Sequence, residues 1–314
     1  MALNSVTAQP QPRNPGPNCG YLFLTRLDRL LARSLFERVV GWGTWVAVWC
    51  MPGQRRHSQA YLAAILGRPP TRREVWRHFF TFSQSLMRKL RAADGRSYRC
   101  TLDPQSTEFT RMMAQGRPAL LGTFHLGDAD LLGFMLGNLG RKIFMIRQQV
   151  DNSPETRSLA RQYQHSVEFI WVNERESLLF ALKHAIDSGG SVAMQCDRPD
   201  FSAKLEPFDF LGARRMFPVT IYHLALIFRR PVGFCLGIPN GPADSIVYAS
   251  GVFEPDEGSK EENLARARIH FQAFLGMVER HLRLNPYLWF NFTPLNPLAP
   301  AAPAEVQSVS AASR

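Results

Sequence analysis

Residues 118–137 read PALLGTFHLGDADLLGFMLG. The run PALLGTF (118–124) is apolar without polar alternation, which is the texture of a strand buried on both faces. It ends at His125, and the short polar segment after it opens a second apolar stretch of helical length, 129–139. A strand that turns into a helix within so few residues is the repeating unit of an α/β protein. Outward from this point the same texture recurs. KIFMI (142–146), VEFIWV (167–172), SVAMQ (191–195) and PVGFCLGI (231–238) read as further buried strands. Residues 154–165, 174–188 and 217–228 read as the helices between and around them, and a long charged helix spans 259–284. The pattern predicts an α/β fold with a mixed, mostly parallel sheet flanked by helices, in which ligands bind beyond the carboxyl ends of the strands.

The chain of 314 residues is 45% hydrophobic, long enough for one large α/β domain or two small ones and too apolar to be mostly disordered. Its net charge of +11 is unevenly placed. Residues 1–100 hold 16 basic against four acidic side chains, and the remaining residues are nearly balanced. That segment suits an anionic partner, and its charges interleave with leucines and tryptophans on predicted helices. A phospholipid surface therefore fits better than a nucleic acid. From Tyr21 to Arg38 the leucines at 24, 27, 30, 31 and 35 recur at helical spacing. The uncharged stretch VVGWGTWVAVWCMPGQ (39–54) follows, with Trp42, Trp45 and Trp49 at i, i+3 and i+7 and arginines on either side. Indoles on one face closed off by guanidiniums suit insertion into one leaflet, although such a helix can also pack on the core. A second basic helix is expected over 71–91, its apolar stripe formed by Val75, Phe79, Phe82 and Leu86.

Five cysteines with wide spacings and no C-x-x-C pair argue against a disulfide framework and a zinc ribbon. No apolar run reaches the length of a membrane span. The expected organisation is a Pro/Asn-rich tail over 1–19, a helical, basic, membrane-associating region over 20–100, the α/β domain over 101–294, and a second tail over 295–314.

The chemistry-bearing residues lie where the fold would place a ligand. His125 leaves a strand, and Asp130 follows five residues later. In a regular helix those positions are about 140° apart, so the pair meets only if His125 sits in the turn and Asp130 opens the helix. An imidazole bonded to a carboxylate has a fixed tautomer and acts as a general base towards a hydroxyl. Cys196 has no evident base partner and reads as a buried thiol.

His125-Leu-Gly-Asp-Ala-Asp130 resembles the H-x-x-x-x-D/E signature of glycerolipid acyltransferases, and in particular that of the bacterial lipid A biosynthesis (lauroyl/myristoyl) acyltransferase family. Further blocks resemble that family in order. KIFMIRQQVDNSPETRSLARQ places Arg147 at the family's arginine and Asn152 near its asparagine. GGSVAMQCDRPDF places Asp197 at the leading aspartate of D-Q-D. EPFDFLGARRMFPVTIYHLAL puts Phe208, Phe210 and Gly212 in register, and NPYLWFNF resembles the closing segment. The chain departs from the pattern at Arg198 and Pro199, and at Phe290-Asn291-Phe292-Thr293, where two arginines of the family are missing.

The resemblance implies a glycerolipid acyltransferase-like fold and transfer of a fatty acyl group from a thioester, on acyl carrier protein or coenzyme A, to a hydroxyl of a lipid A-like or other lipid or glycolipid acceptor. It implies His125 as general base oriented by Asp130, backbone amides after His125 as oxyanion donors, and substrate contacts by Arg147, Asp197, Phe208 and Gly212. No cofactor or metal is implied beyond the thioester co-substrate. The implied location is the cytoplasmic face of a bacterial inner membrane, peripheral or monotopic. Two rival readings stand beside it. One is a metal-dependent glycosyltransferase using Asp128-Ala129-Asp130 as a D-x-D motif, and the other is a non-catalytic membrane-binding protein.

Overall fold

The computed structural model describes residues 18–137, 140–148, 161–172, 178–199, 202 and 204–300. Four helices come first: α1 (Asn18–Leu30), α2 (Arg33–Cys50), α3 (Pro52–Leu66) and α4 (Arg72–Ala93). The α/β part follows as β1 (Arg99–Leu102), α5 (Thr107–Ala114), β2 (Leu120–Thr123), α6 (Ala129–Gly137), β3 (Ile143–Arg147), β4 (Val167–Trp171), α7 (Leu178–Asp187) and β5 (Ser191–Gln195). It is completed by the hairpin β6 (Leu205–Phe210) and β7 (Ala213–Pro218), then α8 (Thr220–Phe228), β8 (Val232–Pro239), β9 (Asp244–Phe253) and α9 (Lys260–Leu284).

Among the described residues seven strands form one sheet in the order β1-β9-β8-β2-β5-β3-β4. The five strands from β8 to β4 run parallel, while β9 is antiparallel to β8 and β1 runs with β9. The fold is thus the mixed, mostly parallel α/β sheet expected from the apolar runs. Consecutive residues in each strand point to opposite faces, and the core divides accordingly. Leu120, Phe144, Val192 and Phe234 pack with α7, α8 and α9, while Leu121, Met145 and Cys235 pack with α5 and α6.

All five predicted strands are present, and the long charged helix starts at a capping box between Ser259 and Glu262. Most of the helix expected over 154–165 lies outside the described residues, as does Asn152. Periodicity did not reveal β1, β9 or the β6–β7 hairpin. The hairpin turns through Leu211 and Gly212, whose φ angles are +52° and +73°, the conformation of a tight two-residue turn.

The basic N-terminal region is not a separate layer of helix. Val48 on α2, Tyr61 and Leu62 on α3, and Val75 and Phe79 on α4 join the same core as Trp289 and Phe210. The α1 helix ends at Leu30, before the predicted Arg38, and Asp28 ties it to Arg91 of α4 and to Arg96. On α4 the expected apolar stripe is buried only at Val75 and Phe79, whereas Phe82 is 40% exposed. The second tail, expected over 295–314, is packed at its start, because Asn296 is buried and Leu298 bridges to Arg215.

Candidate active site

Three neighbouring strands deliver the site. In the parallel pair β2–β5, Thr123 stands opposite Gln195, so His125 and Asp197 each lie two residues beyond a matched strand end. The Cys196 amide, which bonds the Thr123 carbonyl at 2.8 Å, carries the pairing into that turn. The result is contact across 72 residues of sequence. His125 Nδ1 donates to Asp197 Oδ1 at 2.8 Å, and the His125 backbone amide donates to Asp197 Oδ2 at 3.0 Å. Trp289 Nε1 also donates to Oδ2, at 2.9 Å, and the Asp197 carbonyl accepts from Asn296 Nδ2 at 2.9 Å. Burial pushes the Asp197 carboxyl up, but His125 first, then Arg198 and the Trp289 indole, outweigh it and hold it at about 2. An ionised, buried Asp197 keeps the ring proton on Nδ1 and leaves the Nε2 lone pair available.

Asp130 therefore does not orient the imidazole, and that expectation is corrected. It opens α6 as the spacing required, but its oxygens go to Lys89 Nζ at 3.0 Å and Arg147 Nη2 at 2.8 Å. Burial works against its charge, yet Lys89 and Arg147, with His125 behind them, hold the carboxyl well below the usual range. Its side chain is 42% exposed, so the strength of the clamp is moderated by solvent. Lys89 comes from α4, in the region read as membrane-associating, and no motif announced it.

Asp128 is buried and saturated. It accepts from Arg88 Nε at 2.8 Å, Ser85 Oγ at 2.9 Å, Tyr98 Oη at 2.6 Å and Ser245 Oγ at 2.7 Å. With Asp128 on Arg88 and Asp130 on Lys89 and Arg147, the D-x-D carboxylates are each engaged by cations from other elements. That distribution removes the geometric basis for the glycosyltransferase reading, which needs both carboxylates turned towards one divalent ion.

The loop that carries His125 is pinned along its length. The Phe290 amide donates to the His125 carbonyl at 2.8 Å, Gly127 donates to Leu288, and Asp128 donates to Gly237, the last two at 2.9 Å. Gly127 has φ +58°, and a Cβ there would come 2.1 Å from the Gly237 carbonyl oxygen; only glycine allows this approach. The amides of Leu126 and Ala129 bond to Phe124 and Leu126. All five amides from 125 to 129 are spent on these bonds, so none of those five is free to bind an oxyanion.

Phe208 and Gly212 serve the scaffold. Phe208 packs edge-on against Phe271 in the core, with ring centroids 4.9 Å apart, and Gly212 closes the hairpin turn. Phe210 lies against a partner of Asp197, its ring standing edge-on to Trp289 at 5.5 Å. Burial pushes the Cys196 thiol far up, which keeps it protonated. Sequence reasoning missed Trp289 and Asn296 as partners of Asp197; the resemblance of the closing segment was the available signal for the first.

No protein-family model matches the chain, and no curated protein matches it. Among solved structures, the chain is similar to the 1-acyl-sn-glycerophosphate (LPA) acyltransferase, PlsC, from Thermotoga maritima. The identity is 15%, the TM-score is 0.39, and the match covers 79% of this chain and 98% of that one.

On the outer side, α2 presents Leu35, Val39, Trp42, Val46 and Trp49 to solvent at alternating spacings of three and four, with Trp42 77% and Trp49 72% exposed. Trp45 departs from the expected indole face, because its ring stacks on Trp76 at 5.8 Å. The arginines at 26, 29, 33, 38 and 56 are exposed on the same helices and the start of α3. No described helix is long and apolar enough to cross a membrane.

Proposed function

We propose that the protein is an O-acyltransferase that moves a fatty acyl chain from an acyl thioester to a hydroxyl group of a lipid or glycolipid. The carrying observation is the bond from His125 Nδ1 to the buried, ionised Asp197. His125 Nε2 takes the proton of the acceptor hydroxyl as its oxygen bonds to the thioester carbonyl carbon, and the carbonyl π pair moves onto oxygen. When that pair returns, the C–S bond breaks and the leaving thiolate takes the proton from Nε2. Asp197 offsets the transient imidazolium charge, and no covalent acyl-enzyme is required.

The surrounding charges favour an anionic substrate. Arg88, Lys89, Arg147 and Arg198 stand against Asp128, Asp130 and Asp197, an excess of one positive charge while His125 is neutral. A phosphate or carboxylate on the acceptor, or the phosphate of a pantetheine arm on acyl carrier protein or coenzyme A, would offset that excess. A lipid A-like headgroup is one such acceptor. The α2 stripe and its arginines support attachment to an anionic phospholipid surface, on the cytoplasmic face of a bacterial inner membrane where acyl thioesters are made. A non-catalytic lipid binder would use the same stripe, and dependence on His125 separates the two.

The test is expression of wild type and His125→Ala in a lipid-producing bacterial host, followed by mass spectrometry of total lipid extracts. A species heavier by one acyl group with wild type only is expected. Identical extracts, together with absence of thioester turnover by the purified protein on those lipids, would overturn the reading.

A further inference from the structure

Two grooves meet along α4. The first, of about 520 Å³, lies between α2 and α4 and is walled by Trp42, Trp45, Trp76 and Phe80, with Glu37 and Arg38 also lining it. The second, of about 810 Å³, is lined by Arg73, Arg77 and Arg88 of α4 and by Tyr287 and Leu288 beyond α9. Trp76 and Phe80 line both, so their rings form a ridge shared by the two. That ridge is firmly built. Trp76 stacks on Phe80 at 4.9 Å and on Trp45 at 5.8 Å, and its Nε1 donates to the Gly41 carbonyl at 3.1 Å.

The charges in these grooves are unevenly answered. Glu37 lines the first and Glu74 the second, and each is taken by an arginine that lines neither, Arg33 at 2.9 Å and Arg68 at 2.6 Å. Arg38, Arg73 and Arg77, by contrast, have no acidic partner among the described residues. Arg77 rests over the Tyr287 ring, 4.8 Å from its centroid, which holds a guanidinium at the groove wall. Arg88 is only 8% exposed; its Nε is fixed on Asp128, and its Nη groups have no acceptor among the described residues. A guanidinium offers five donors and no acceptor, so the second groove is a place for anionic oxygen. The first groove is aromatic, and through Trp42 it runs into the exposed stripe of α2.

We propose that the two grooves together hold one anionic phospholipid. Its phosphate sits on Arg73 and Arg77, its headgroup extends along the polar groove, and one acyl chain crosses Trp76 and Phe80 into the aromatic groove. Arg73 and Arg77 are one turn apart on α4, a spacing at which two side chains share one partner, and a phosphate matches their forked donors. The lipid is a resident ligand and no bond is made or broken. No hydrogen bond or ion pair among the described residues joins Arg73, Trp76, Arg77 or Phe80 to His125 or Asp197. The inference builds on attachment to an anionic phospholipid surface, to which it adds a headgroup site on α4, and it is independent of the acyl transfer.

Native mass spectrometry of the full chain in neutral detergent micelles, with phosphatidylglycerol or phosphatidylcholine added, is expected to show one retained phosphatidylglycerol and no phosphatidylcholine. Arg73→Gln/Arg77→Gln should lose that adduct and should bind phosphatidylglycerol-containing vesicles at least about tenfold more weakly in co-sedimentation. Arg26→Gln/Arg56→Gln removes the same charge from exposed positions that line neither groove, and it should keep the adduct. Both double variants should melt near wild type, because all four side chains are exposed and have no acidic partner among the described residues. sn-Glycerol 3-phosphate, a phosphate without acyl chains, should not displace the lipid. Equal losses of vesicle binding in the two double variants, or an adduct that persists in Arg73→Gln/Arg77→Gln, overturns the site. Displacement by sn-glycerol 3-phosphate would make a soluble phosphate the ligand, and an Arg73- and Arg77-dependent complex with acyl carrier protein in place of the adduct would make it a protein; either result overturns the lipid assignment. No readout uses thioester turnover and the micelle adduct needs no bilayer, so failure here is distinct from failure of the acyltransferase reading or of attachment through α2.

Discussion

An imidazole acts as a general base only through a nitrogen that carries no proton, and in this site the choice is made by a residue 72 positions away. Asp197 accepts hydrogen bonds from Nδ1 and the backbone amide of His125 and from the Trp289 indole, and remains ionised in a buried setting. Asp197→Asn preserves the volume but offers the ring an amide, which can invert the tautomer and no longer offsets the imidazolium. Its kcat for thioester-dependent transfer is expected to fall on the order of 10⁴-fold, with a folded protein by circular dichroism; a loss below tenfold would mean that Asp197 is not the orienting partner. The carboxyl also sets a stability term. Because its folded pKa, about 2, lies below that of an unfolded aspartate, its contribution is present at neutral pH and is lost only as the solution is acidified through that value.

At the scale of the element, α4 connects the basic N-terminal region to the His125 loop. One of its faces sends Val75 and Phe79 into the core, and adjoining positions supply Ser85, Arg88 and Lys89 to the two aspartates of the His125 loop. Removing Arg88 would leave Asp128 buried and uncompensated, a loss of about 3–5 kcal/mol. Between these groups lies His78, fully buried. Its Nε2 donates to the Trp289 carbonyl at 2.9 Å, so its Nδ1 accepts from Ser58 Oγ at 2.8 Å. Burial lowers its pKa to about 4, and the bond to Trp289 only partly opposes the shift. The rings of Tyr61 and Phe292 lie against it, and no charged group among the described residues contributes to the shift. The unfolded chain, with a histidine near 6.5, takes up a proton first as pH falls, so stability drops between pH 6.5 and 4. About 2 kcal/mol should be lost from pH 7 to 5 on this account alone. Burial also lowers His270 and His281, so the check is a difference. Chemical denaturation of His78→Gln across that range should give a flatter pH dependence than wild type, and equal slopes would refute the assignment.

At the scale of the whole molecule, the His125–Asp197 corner and the exposed α2 stripe belong to one body, because α2, α3 and α4 share the core that holds Trp289. Binding of the stripe to a bilayer would therefore hold the site at the membrane surface, where an amphipathic acceptor is found. Replacing Trp42 and Trp49 together by Gln should weaken co-sedimentation with anionic phospholipid vesicles by tenfold or more, given about 25 cal/mol for each Å² of apolar surface withdrawn from lipid. The melting temperature should be unchanged, since both indoles are solvent-facing; unaltered vesicle binding would place the attachment surface elsewhere. The apolar runs already determined the strand set and the α/β class, because a strand buried on both faces must be continuously hydrophobic wherever it lies. The same logic located His125 and Asp130 at the ends of β2 and α6, and the family resemblance added Arg147 and Asp197 at the ends of β3 and β5. Their pairing was beyond the sequence. Order within the sheet places β5 between β2 and β3, and that adjacency, together with the returning segment at Trp289, gave His125 to Asp197 and left Asp130 to Lys89 and Arg147. Local spacing reports which residues share an element, whereas contacts between strand ends depend on which elements become neighbours, a choice made by burying the whole core at once.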